Sequence, residues 1–354
     1  PYWDYTSTDP LKRGILPVQF RSPNDPVFNV LYRSNRTSLA NTGQRIDKNQ
    51  PTDQMDISAS MAAASYTTVG TVLGFCRSID TNIHGRIHVL VGTSTNMGAV
   101  PYAARDPLFF VHHSNIDRLW ASWNANGGLN PTTGTWLNTV FTFTDRTGQR
   151  VTGKIKDFFD LLPLGYQYDN LWLPPAPLLK TGKKSTTQEL ASLMLSSPER
   201  VASSTTMASL GTTATAVELR RISNVKQTAA VLGLAPAASS QRTYLVVKDL
   251  HTWKQPEVLY HLYLAPANRG GVNPNTYVGA IQFFDAEFHD HGTSRAMDMA
   301  LGENFQSFDV TDLLRRFERS GTVQRDALQV IFVPGGKARA DAGPMVASVE
   351  LVRQ

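Results

Sequence analysis

Apolar positions follow three regimes along the 354-residue chain. Between residues 80 and 124 they recur at helical spacing, which predicts two helices, 80–91 and 107–124, joined by a loop over 92–102. On the second, Phe109, His112, Ile116, Leu119, Trp120 and Trp123 form one stripe. Asp106 can cap that helix, Pro107 suits its first position, and Gly127 with Gly128 stops it. Over 54–76 a looser helical face runs through Met55, Ile57, Met61 and Tyr66. Residues 6–55 keep no period; Pro, Asn, Asp and Gly recur, predicting an irregular excursion packed on the helices, with at most a short helix near 25–32.

From Tyr244 to Val352 the pattern changes. YLVV, VLYHLYL, YVGAIQFF, LQVIFV and VASVELV alternate roughly and are split by turn signals such as NRGG and PGG. One helix interrupts them in FDVTDLLRRFERSG, with Phe308, Leu313, Leu314 and Phe317 as its apolar face. Between the two regimes, residues 173–242 contain no aromatic side chain and are rich in Ser, Thr and Ala, a composition too poor in large apolar surface for a core. This stretch reads as a protease-sensitive linker with a short helix in TTQELASLML. The predicted fold class is multidomain α+β: a mainly-α helix bundle over 1–172, a linker over 173–242, and an antiparallel β-sandwich over 243–354.

Composition narrows the function classes. Charged residues make up 18% and the net charge is +5, with basic pairs scattered rather than interleaved with aromatics, so nothing points to a nucleic-acid partner. No run of about 18 apolar residues predicts a membrane-crossing helix. The single cysteine, Cys76, allows no internal disulfide and, in VLGFC, is expected as a small buried hydrophobe.

Three histidines carry the candidate chemistry. His84 and His88 are i, i+4 neighbours, so their rings leave one helix face about one turn apart. An HxxxH pair alone is more often a solvated or core-satisfied pair than a ligand pair. His112, however, lies on the apolar stripe of the second helix, where an unpaired imidazole is costly. Three imidazoles from two facing helices describe a metal site within a bundle. His289-Asp290-His291 reads as a surface loop or as a second metal site.

HGRIH at 84–88, followed by MGAVPYAARDPLFFVHHSNIDRLW from Met97, resembles the second copper-binding half of type-3 copper proteins: tyrosinases, catechol (polyphenol) oxidases and molluscan-type haemocyanins. The resemblance implies that His84, His88 and His112 hold one copper, CuB, and an imidazole-only donor set suits that metal. It implies oxidation of o-diphenols to o-quinones with O₂, on small phenolic substrates. Asp80 falls where plant members carry a glutamate that positions water; it reads equally as a helix N-terminal carboxylate favoured by the dipole. Gly85 occupies a position where members active on monophenols often carry asparagine, which lowers the expectation of monophenol hydroxylation. Val100 falls about where plant enzymes place a phenylalanine gate. His113, about 100° around the helix from His112, is expected outside the ligand set, lining the substrate entrance. Phe109, Asn115 and Asp117 are expected to support the ligands from behind, and Arg118 to be structural.

Two further motifs fit the same family. Tyr166 and Tyr168 resemble the tyrosine motif that closes its catalytic domain. PYWDY at 1–5 resembles a motif that follows the first copper site, so three more histidines, holding CuA, are expected in a segment upstream, and the chain by itself is expected to be inactive. The C-terminal pattern resembles the domain that in plant polyphenol oxidases covers the copper site and keeps the enzyme latent. A haemocyanin-like O₂ carrier and a mononuclear zinc hydrolase are the competing classes; against the hydrolase, position 85 is glycine where HExxH proteins carry their general base.

Overall fold

The computed structural model describes residues 1–174, 191, 194, 196–204, 206–222, 241–267, 271–287, 305–320 and 328–354. Its helical half is built on two long elements. The first runs through three consecutive pieces, Phe75–Ile79, Asp80–His84 and Gly85–Val91, the middle one a π-helical turn. Gly92 ends it. The second, Leu108–Ala125, is a regular α-helix. The two cross where Phe75 stacks on Trp123, with ring centroids 4.7 Å apart.

The second helix buries a more polar face than its apolar stripe suggests. Leu108, His112, Asn115, Arg118, Leu119, Ser122 and Trp123 are buried, while Phe109, Ile116 and Trp120 are only partly so. The reason is hydrogen bonding. Arg118 donates to Asp4 (3.1 Å), to the Asn170 carbonyl (2.7 Å) and to Asn115 (2.8 Å), and Ser122 accepts from the Trp172 amide. Buried polar groups with partners cost little, and a hydrophobicity count does not register them. At the N-terminus Asp106 accepts from the Leu108 amide, as its capping residue type predicts. Both of its oxygens are also held by Arg36 at 2.7 Å, in an ion pair with no solvent exposure.

The irregular excursion appears much as expected, with a short 3-10 turn at Asn29–Leu31. Over 54–76 only Ser58–Met61 and the start of the first long helix are helical. Cys76 is exposed, because Phe75, Ser78 and Ile79 take the buried side of their turn. A small hairpin, β1 (Val140–Thr144) with β2 (Arg150–Lys154), follows the second helix.

The C-terminal half is an antiparallel sheet of nine strands: β3 (Glu199–Ser203), β4 (Ala208–Ser209), β5 (Thr215–Arg221), β6 (Thr243–His251), β7 (Tyr260–Pro266), β8 (Tyr277–Ile281), β9 (Phe305–Asp309), β10 (Leu328–Pro334) and β11 (Met345–Arg353). The path runs β8-β7-β10-β5-β3-β11-β6-β9, with β4 beside β11. The helix Thr311–Arg319 lays Leu313, Leu314 and Phe317 on the same core as Val247, Leu262, Phe332 and Leu351. Strands β3 to β5 lie in the stretch that reads as linker. Val201, Val217 and Leu219 point into this core while their Ser, Thr and charged neighbours face out, so sparse alternation suffices for strands that add to an existing sheet. The helix expected in TTQELASLML and the His289-Asp290-His291 segment lie outside the described residues.

The halves are packed together. Leu259, Ala280 and Phe284 from the sheet belong to the core of the helical half. Gln50 donates to the Gly335 carbonyl (3.1 Å) and accepts from His261 (2.7 Å), and Glu257 accepts from the Ser94 amide (2.8 Å).

Candidate metal centre

The π turn and the α turn that follows it set His84 and His88 on one side of the first helix, ring centroids 4.8 Å apart. The second helix brings His112 and His113 against them. His112 is 5.5 Å from His84 and 4.8 Å from His88; His113 is 5.2 Å and 5.8 Å. One ring nitrogen from each of the four lies within 4.8 Å of the others. His113, expected to point aside, therefore joins the cluster. A 100° step along the helix redirects the Cα–Cβ bond, but a long planar side chain can swing back toward a neighbour.

Each ring of the first helix is anchored by its Nδ1. His84 donates to Asp80 Oδ1 (3.0 Å) and His88 donates to the Met97 carbonyl (2.7 Å). These bonds fix the tautomer and leave Nε2 as the free donor. Four of the remaining ring nitrogens, His88 Nε2, both nitrogens of His112 and His113 Nε2, are buried with no partner among the described residues. Buried ring nitrogens left without partners in one place cost several kcal/mol in sum unless something occupies the space among the rings. A cation that accepts imidazole lone pairs fits that requirement. Burial drives the pKa of His88 and His112 far down, the neighbouring imidazoles adding to it, and burial takes His113 down to about 4. The rings are therefore neutral at physiological pH, the form that ligates. No thiolate is in the cluster, so the donor set suits copper or zinc.

Asp80 serves the imidazole rather than standing free. Besides His84 it binds Arg77 (3.1 Å), which also approaches Asp285 of the sheet half at 3.7 Å. Burial opposes ionisation of Asp80, yet the His84 hydrogen bond and the charges around it hold its carboxyl below the usual range. Asp117 accepts from Tyr166 (2.8 Å) and Tyr168 (2.5 Å), so both tyrosines lock the second helix to the segment after it. Asn115 holds Arg118, and Phe109 packs on His113 at 4.1 Å. Val100 is half exposed and belongs to a short 3-10 turn, Val100–Arg105.

Two residues from the sheet half complete the site, and nothing in their local sequence marks them. Phe284 lies flat on His88, centroids 3.9 Å apart and planes 9° from parallel, and meets His84 edge-on at 5.9 Å. Gln282 lies over Gly85: a Cβ there would meet its side-chain amide at 2.3 Å. That contact explains a mid-helix glycine, which otherwise costs about 1 kcal/mol. In sequence both residues merely end the apolar run YVGAIQFF.

This architecture and donor set define a class of helical metal site covered by an antiparallel sheet, and comparison with known proteins gives it a family. Residues 18–126 match the common central domain of tyrosinase, 130–177 the polyphenol oxidase middle domain, and 197–354 a domain of unknown function. Over residues 18–126 and 130–177 the chain thus matches the type-3 copper family of tyrosinases and polyphenol oxidases, whose members are copper oxidoreductases. Tyrosinase HcTyr1 of Hahella sp. (strain CCB-MM4) is 26% identical over 368 residues, covering 99% of this chain and 75% of that protein. Aureusidin synthase of Antirrhinum majus is 40% identical over 105 residues, covering 27% of the chain and 19% of that protein. The chloroplastic polyphenol oxidase of Malus domestica is 26% identical over 273 residues, covering 73% and 43%. The chain thus spans less than half the length of these plant relatives. Latent apple tyrosinase superposes with a TM-score of 0.53 at 19% identity over 100% of this chain and 76% of that chain. Latent aurone synthase gives 0.57 at 17%, covering 99% and 70%; these two likenesses speak for the fold.

Proposed function

We propose that this chain supplies a copper site and its cover to an enzyme that oxidises o-diphenols to o-quinones with O₂. The observation that carries the reading is the convergence of four imidazoles, three of which, His88, His112 and His113, are held neutral by burial and have buried ring nitrogens with no partner among the described residues. His84 and His88 would ligate through Nε2, and the vicinal pair His112–His113 would supply the third donor. Copper bound there would supply a one-electron redox couple that the side chains themselves lack.

The protein's own part is positional. Asp80 and the Met97 carbonyl fix the tautomers of His84 and His88, so the lone pairs aim inward without rearrangement. Burial keeps His88, His112 and His113 neutral, and Phe284 covers the His88 side while the sheet is docked. That contact supports the reading of the sheet half as a latency cover. Gly85 lies under Gln282, whose side-chain amide would have to shift to admit a larger side chain beside His84; a glycine there is in keeping with diphenol oxidation rather than monophenol hydroxylation. A pair of coppers held by six imidazoles needs more donors than this cluster contains. The chain alone is therefore expected to bind copper without turning over catechol.

Metal analysis and a catechol assay on the copper-loaded chain test the proposal. Expected are one copper per chain, its loss in only one of His112→Ala and His113→Ala, and no quinone above the level given by free copper. Preferential zinc uptake with ester or peptide hydrolysis would turn the reading to the hydrolytic class.

A further inference from the structure

A cleft of about 1150 Å³ opens between the two halves, away from the imidazole cluster. Ser60, Asn82 and Arg86 line it from the helical side, and Tyr277, Ser307 and Phe308 from the sheet. Arg86 is only 9% exposed. Its Nη2 donates to Asn82 Oδ1 (2.8 Å), its Nε is buried with no partner, and it forms no ion pair among the described residues. No carboxylate on the cleft wall forms an ion pair with Arg86 among the described residues, although the charge of Asp56 acts on it through space. Asp53 pairs with Arg13 at 2.7 Å and Asp309 with Arg242 at 2.6 Å; Asp56 is exposed and its Oδ1 accepts from the Ser58 amide and hydroxyl. From the opposite wall, the Ser307 hydroxyl is likewise buried without a partner.

A guanidinium withdrawn from water with no carboxylate paired to it is costly, and its planar fork matches carboxylate and phosphate oxygens two at a time. We propose that this cleft binds a small oxyanion, a carboxylate or phosphate group, on Arg86, with the Ser307 hydroxyl as a second donor from the sheet. Arg86 lies two residues from both His84 and His88, about 200° around the helix from each. The occupant would therefore sit behind the imidazole-bearing helix and tie it to the sheet half. The inference stands on the cleft and its two orphaned donors, whatever metal the imidazoles hold.

The test is calorimetric titration of the full chain with inorganic phosphate and, separately, with citrate, at fixed ionic strength and with chloride as control. Saturable binding of one anion per chain is expected for phosphate, citrate or both, the stronger arm identifying the source of the oxyanion. Arg86→Lys, which keeps the charge but loses the fork, should weaken it at least tenfold. Ser307→Val, on the other wall, should weaken it several-fold and serves if the Arg86 variant does not fold. Absence of saturable binding by either anion, chloride binding as tight as theirs, or affinity unchanged in the variants would overturn the proposal.

Discussion

Replacing Phe284 by alanine removes the one sheet residue that, among the described residues, lies flat on a candidate ligand. Its ring is 5% exposed, and it bridges the helical core to the sheet. Truncating a packed phenylalanine costs about 3–5 kcal/mol, the ring-on-ring contact contributing about 0.5–1.5 of that. Because the ring lies at the junction of the halves, the loss should appear as weakened docking more than as disruption of either core. The expected result is a drop of about 3 kcal/mol in urea unfolding. Modification of His88 by diethyl pyrocarbonate in the metal-free protein should also be at least tenfold faster. Mass spectrometry of the modified peptide assigns the site. Unchanged His88 reactivity, with stability within about 1 kcal/mol of the parent, would refute the idea that this ring covers the cluster.

Arg36→Met should cost about 3–5 kcal/mol, since it leaves the Asp106 carboxylate buried and unpaired beneath the second long helix; adding Asp106→Leu should recover part of the loss in the same denaturation assay. His261, buried in strand β7, has its pKa pushed by burial from 6.5 down to about 4. Between those values the unfolded chain binds a proton that the folded chain does not. Stability should thus fall by about 3 kcal/mol as pH drops from 6.5 to 4, and His261→Gln should flatten that part of the profile. Identical profiles for parent and variant would show that His261 does not titrate as its burial requires.

The histidine cluster was legible wherever it rested on spacing and helix ends. His84, His88 and His112 could be paired because four residues return a helix to the same face, and Asp106 announced the second helix as a cap. The place of His113 was not legible, because angular spacing locates a backbone bond and not the end of a flexible ring. The partly polar buried face of the second helix escaped for a different reason: Asn115, Arg118 and Ser122 are paid for by hydrogen bonds to residues as distant as Asp4 and Asn170. Strands β3 and β5 were hidden because only Val201, Val217 and Leu219 distinguish them from a polar linker. Phe284 and Gln282 reach the site through long-range packing, and no local pattern could assign them to it.

The most direct measurement is electron paramagnetic resonance of the chain loaded with one equivalent of Cu(II). Imidazole ligation predicts superhyperfine splitting from three nitrogens, reduced by one in His88→Gln, whose apo form should remain folded by circular dichroism. A spectrum of oxygen-ligated or unbound copper, or one unaltered by loss of His88, would contradict the claim that these rings converge to hold a metal.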